Sequence, residues 1–351
     1  MELTVSSTRD HGRTLVSAEV ELTQAPTALR ASTGAVVPCQ YDDATSSLSW
    51  VLDSPLAAGE ERVYETSADD APGARWHVEE KPDHLNLHAG DDFVTRYTFL
   101  GMRRPYFWPV NTSQGSIARG SGSEDHPHHY GLGMAYGGHG EGGGANIWSD
   151  WDEEPYGPCG KVIHRAFGSV VGGSVYAEIC ETLWYLKANG DIITEEQRRV
   201  RVWQIDRDEY YFDWESELSA PDDLGTKPFL LAVRLPNAIT GDTGNVLNSD
   251  GEEGQEAARM HASWCDFSGP LGDGWSGIAF FDHPENPEYP GKFGEYAVNP
   301  QMTLTHHAPD YLDDEPLNLR FRCYVHAEKA RNSGAGDRYQ DYLNPPLVEV
   351  G

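Results

Sequence analysis

Two runs decide the fold: Ser174-Val175-Tyr176-Ala177-Glu178-Ile179-Cys180-Glu181-Thr182-Leu183-Trp184-Tyr185 and Gln197-Arg198-Arg199-Val200-Arg201-Val202-Trp203-Gln204-Ile205. Both are rich in Val, Ile, Tyr, Trp and Thr, and both partly alternate apolar with polar residues, the period-two pattern of a strand with one buried face. Asn189-Gly190 lies between them, the dipeptide that accepts the positive φ of a tight hairpin turn. Working outward, similar runs recur at Thr14 to Glu21, Arg62 to Thr66, Phe93 to Leu100, Tyr210 to Leu218, Phe229 to Leu235, Gly277 to Phe281 and Leu317 to Val325. Amphipathic stretches with helical spacing are nearly absent, so the chain is expected to be all-β, an antiparallel sandwich. No Pro-, Gly- or Ser-rich linker divides it, and residues 1–351 are read as one domain.

Charge narrows the function. The chain carries 56 Asp plus Glu against 26 Lys plus Arg, a formal charge of −30 spread along its length. Such a surface repels nucleic acid, so no nucleic-acid partner is expected. It is tolerated best where concentrated salt shortens the Debye length to roughly 3 Å near 1 M, which is the composition of a halophilic protein. No apolar run reaches the roughly 20 residues of a membrane span, and the start lacks a basic region followed by an apolar core. The expected location is therefore the cytoplasm, with no membrane partner. Cys39, Cys159, Cys180, Cys265 and Cys323 are widely spaced without a paired motif, and read as buried small residues.

One segment breaks the strand pattern. Gly120 to Gly144 combines dense glycine with Asp125, His126, His128, His129, His139 and Glu141, the make-up of a long loop shaped around a ligand. Pro127 favours an extended His126, so the period of two is expected to set His126 and His128 on one side. Paired imidazoles beside a carboxylate suit a divalent metal or metal-free acid–base work near neutral pH. His164, at the start of the next strand-like run, reads on its own as a satisfied structural histidine, with a place facing the cluster across the sheet as the functional alternative. Just before the loop, Arg104, Tyr106 and Trp108 have the flat and polar character that covers a pyranose and binds its hydroxyls, with core packing as the equal alternative. Glu196 and Arg198 share one strand face and read either as a solvated ion pair or as groups aimed into a sugar-sized cleft.

With these residues in view, the chain resembles the soluble proteins catalogued as methane oxygenase PmoA. The likeness rests on Arg104-Pro105-Tyr106, Asp125-His126-Pro127-His128-His129 with Gly131-Leu132, Trp148, and Gly160 followed by His164. It continues through Glu196, Arg198, Arg234, Asn248-Ser249, Gly251, Trp264 and Asp282-His283-Pro284 with Asn286-Pro287, from about residue 90 to about residue 330. Two departures stand out. Tyr130 occupies a place where that family usually has Arg, and Gly291-Lys292-Phe293-Gly294-Glu295 replaces its Trp-His-x-Arg stretch. The resemblance implies a supersandwich like that of galactose mutarotase, often encoded beside sugar oxidoreductases.

The leading expectation is a carbohydrate-active enzyme working on a sugar or oxidised sugar by lyase, epimerase or glycosidic chemistry. His128 or His129 would act as base or acid and Asp125 would orient an imidazole. Substrate would meet Arg104, Tyr106, Trp108, Arg119, Tyr130, Glu196 and Arg198. A divalent metal such as calcium, manganese or zinc would bind His126, His128 and His164, and no nucleotide cofactor is expected. The partner would be a small molecule or an oligosaccharide. A sugar-binding module without turnover and a metal-dependent oxygenase are the rival readings.

Overall fold

A computed structural model of the protein describes residues 1–120, 126–136, 146–149, 158–219, 228–240, 244–295, 301–307 and 315–351. Tyr176–Leu186 and Ile192–Asp206 form the expected antiparallel hairpin, with Glu181 opposite Arg198. At its tip Gly190 takes a φ of 94° and its N–H donates to the Lys187 carbonyl at 3.0 Å, a backbone state that costs glycine little.

That hairpin lies in an eight-stranded antiparallel sheet. Its order is Lys161–Gly172, Tyr176–Leu186, Ile192–Asp206, Glu209–Leu218, Leu317–His326, Gly274–Asp282, Trp264–Leu271 and Asn245–Asn248. A nine-stranded sheet faces it, in the order Lys292–Glu295, Gln301–His307, Pro228–Arg234, Leu132–Tyr136, Tyr106–Thr112, Asp92–Thr98, His84–Ala89 and Trp76–Glu80, with Gly115–Ser116 added beside Tyr106–Thr112. Alternate residues of the first sheet, among them Ile179, Val200, Val202 and Trp214, meet Phe107, Leu132, Leu231 and Leu304 of the second in one apolar core. The molecule is thus an all-β antiparallel sandwich, and burial of these alternating faces drives its assembly.

A third sheet of seven strands comes from the first 67 residues together with Leu347–Val350, which pairs with Glu2–Ser6. It has its own core around Leu3, Leu29, Leu48 and Trp50. Where it meets the sandwich, Leu15 and Val51 pack beside Trp203, Tyr211, Phe281 and Tyr324 on the outer face of the eight-stranded sheet. The helix Ala335–Leu343 covers the rest of that face with Tyr339 and Leu343. This helix is an element that the sequence pattern did not show. None of the five cysteines is in a disulfide; four are buried and Cys180 is partly so. No helix of the described residues is long and apolar enough to cross a membrane.

Candidate functional site

The histidine segment sits on the nine-stranded sheet, at the entry to the strand Leu132–Tyr136. It is a turn and not the extended run expected from Pro127. The His129 N–H donates to the His126 carbonyl at 3.1 Å, which places Pro127 at the second position of a four-residue turn, where its fixed φ is favoured. Because the chain reverses there, three rings converge instead of two. Their centroids are 5.6 Å apart for His126 and His128, 4.8 Å for His126 and His129, and 4.4 Å for His128 and His129. His128 and His129 are buried and His126 is half-buried. Gly131 is needed behind the turn, since a Cβ there would lie 2.0 Å from the Phe107 carbonyl oxygen.

Arg104 holds this turn in place. Its Nη1 donates to the Trp148 carbonyl at 2.8 Å and its Nη2 donates to the His128 carbonyl, so the guanidinium ties two separate loop segments together. The same group lies 4.3 Å from the Tyr130 ring centroid and 4.7 Å from that of Trp148, an arrangement favoured by the ring quadrupoles. Tyr106 supports Tyr130 with ring centroids 5.3 Å apart. Arg104, Tyr106 and Tyr130, expected to touch substrate, are thus buried supports of the site. Trp148 is aimed by Asn146, whose Oδ1 accepts the Trp148 and Ser149 N–H groups at 3.1 Å each. Its indole then stands 5.8 Å from His129 and 6.3 Å from His128 between ring centroids.

Arg234, at the end of the apolar strand Pro228–Arg234, reaches the cluster from the buried side. It is fully buried and its Nη1 donates to His129 Nδ1 at 2.9 Å. A guanidinium has no acceptor, so Nδ1 must be unprotonated and the His129 proton sits on Nε2. Burial, followed by the neighbouring His128, Arg234, His126 and Arg104, pulls the His129 pKa from its ordinary 6.5 down to about 2. His129 is therefore a neutral N–H donor. Gln301 lies beside Arg234 by strand register. Its amide is 1% exposed, and neither its nitrogen nor its oxygen has a partner among the described residues. Arg119 Nη1 donates to Asn237 Oδ1 at 2.6 Å, and the exposed Trp108 ring lies against Gly120.

Other expected site residues lie elsewhere. His164 Nδ1 lies 2.8 Å from Glu181 Oε2, and its ring packs on Phe99 and Phe167, so it does not complete the histidine cluster. Among the described residues no three His, Cys, Asp or Glu side chains are placed to hold a metal ion, and the expected set His126, His128 and His164 is not assembled. Glu196 and Arg198 face the sandwich interior, paired through two 2.8 Å contacts, with Tyr185 and Ser216 donating to Glu196. Burial lowers the Arg198 pKa, but Glu196, Tyr97 and Tyr185 hold it above the ordinary value. Both residues are thus core, and a cleft role for them is corrected. Asp125, His139 and Glu141 lie outside the described residues.

The reading from sequence gave no role to Arg234, Trp148 or Gln301. A lone arginine closing the apolar run Phe229 to Val233 was the available signal for Arg234, since a buried charge persists only with a dedicated partner. The model of a family of unknown function, DUF6807, matches residues 84–340, a span that contains this whole site. No curated protein matches the chain.

Proposed function

The chain belongs to the DUF6807 family, and for it we propose a carbohydrate-active enzyme that works on a sugar or oxidised sugar by imidazole-mediated proton transfer. The observation that carries this reading is the convergence of three imidazoles, 4.4–5.6 Å apart, over the buried Arg234. Imidazoles so close are most useful when their protonation states differ. His129 is fixed as a neutral donor by Arg234, which leaves His128 and the half-buried His126 as the proton-transferring pair. The Gln301 amide suits hydroxyl or carboxylate oxygens, and the exposed Trp108 ring suits the C–H face of a pyranose. In a lyase or epimerase step, His128 would take the proton next to a sugar carboxylate while His126 returns one to the departing or opposite position. A polyhydroxylated substrate also accounts for a fully buried glutamine amide, which is costly to desolvate without a ligand.

Calorimetric titration of the whole chain with neutral aldoses, uronic acids and short oligouronides tests recognition separately from turnover. Uronic acids or their oligomers should bind, and Trp108→Ala should weaken that binding by about tenfold, as expected for one lost stacking plate. If no member of any class binds, the reading fails.

A further inference from the structure

The first loop of the chain and its last helix meet around a Ser–His–Asp arrangement that the histidine pocket does not use. Ser7 follows the strand Glu2–Ser6, His11 lies four residues on, and Asp341 belongs to the helix Ala335–Leu343. The Ser7 hydroxyl donates to His11 Nε2 at 2.7 Å, and His11 Nδ1 donates to Asp341 Oδ1 at 2.9 Å. Arg9 Nη1 also lies 3.2 Å from His11 Nδ1, but the Asp341 oxygen is closer and a carboxylate only accepts, so the ring proton sits on Nδ1 and Nε2 offers its lone pair to Ser7. Arg9 Nη1 donates to the same Asp341 oxygen at 3.0 Å, and Arg338 Nη1 lies 3.5 Å from the other one, so the carboxylate is pinned from both sides. His11 and Asp341 are each 3% exposed. Burial, opposed by Asp341, lowers the His11 pKa and favours the neutral ring that a base requires. Ser7 is half-buried and lines a cleft of about 350 Å³ with Arg9, Pro345 and Leu347.

We propose that Ser7, His11 and Asp341 form a second catalytic site, one that hydrolyses a small, uncharged acyl ester. Ser7 Oγ attacks the ester carbonyl carbon while its proton passes to His11 Nε2. The bond from that carbon to the alcohol oxygen then breaks, and the His11 proton leaves with the alkoxide. Water, giving a proton to His11, attacks the acyl group on Ser7, releases the carboxylic acid and restores the hydroxyl. Asp341 keeps the imidazole in the tautomer and orientation that this requires. Arg9 lines the same cleft and directs only Nη1 to Asp341, so its other N–H groups are donors for the carbonyl oxygen as negative charge develops. The cleft is sized for a short acyl chain, and Glu60 and Glu61 among its walls disfavour an anionic one. All three residues lie outside the 84–340 span of the family match, and none of the histidine cluster lines this cleft.

The whole chain, treated with a fluorophosphonate and mapped by mass spectrometry, should carry an adduct on Ser7 that is absent from Ser7→Ala. p-Nitrophenyl acetate should give a burst of one nitrophenolate per chain, and Ser7→Ala should lower the rate by at least about 100-fold, the scale on which a positioned nucleophile and base act. Ser7→Ala removes one half-buried hydroxyl, so its melting temperature checks that the fold survives. No adduct on Ser7, or an ester rate unchanged in folded Ser7→Ala, overturns the proposal. Ser7→Ala leaves the histidine cluster intact, so failure here leaves the sugar reading standing.

Discussion

The contact between Arg234 and His129 shows how one residue sets the state of another. Nη1 at 2.9 Å can only donate, so His129 keeps its proton on Nε2 and resists taking a second. The native pKa of about 2 lies below the unfolded 6.5, so below pH 6.5 the unfolded chain binds a proton that the native chain does not. Stability from this residue is therefore fully present above pH 6.5 and is lost as pH falls toward 2, at up to about 1.4 kcal/mol per pH unit. Urea unfolding at pH 7 and pH 5 should show a smaller loss in His129→Gln than in the wild type. An equal loss in both would mean that His129 is already protonated in the native state. Because His11 and His283 are also shifted downward, mainly by burial, only the difference between the two proteins isolates His129.

At the scale of elements, the strand Ile192–Asp206 carries a charged pair into an apolar interior. Glu196 and Arg198 point the same way as Val200 and Val202, and Trp214 lies beneath the guanidinium at 4.7 Å from its ring centroid. Arg198→Met should cost about 3–5 kcal/mol in urea unfolding by leaving Glu196 buried without its cation, whereas Glu196→Gln with Arg198→Met should cost clearly less. Additive losses would mean that the two do not act as a pair. The sequence pattern made this strand legible, because alternation reports which face is buried, but alternation says nothing about whether a charged residue on that face meets a cleft or a core. The hairpin at Asn189-Gly190 was legible for the same local reason. The helix Ala335–Leu343 was not, since Gly334 in the left-handed region replaces a side-chain cap and its exposed positions are polar. The histidine site was legible as a cluster of residue types, while its geometry was not. Pro127 fits an extended segment and the second place of a turn equally well, and Gln301 reaches Arg234 only through the pairing of two strands distant in sequence. His164 was misplaced because its strand face is set by Glu181 on the neighbouring strand.

For the whole molecule, a formal charge of −30 on three packed sheets predicts a fold that salt supports. Raising KCl from about 0.1 M to about 3 M should raise the melting temperature steeply, because the Debye length shrinks from roughly 10 Å to less than about 3 Å. A flat profile would show that the acidic residues are spaced widely enough not to strain the fold. The central claim is that the histidine pocket performs proton transfer on a sugar, and proton NMR of uronic acids and oligouronides incubated with wild-type protein and with His128→Gln tests it most directly. The account predicts conversion by the wild type, and at least a 100-fold loss in a His128→Gln protein that still melts normally, the contribution expected of a general acid or base. Conversion at an undiminished rate in that variant, or no conversion of any sugar by the wild type, would contradict it.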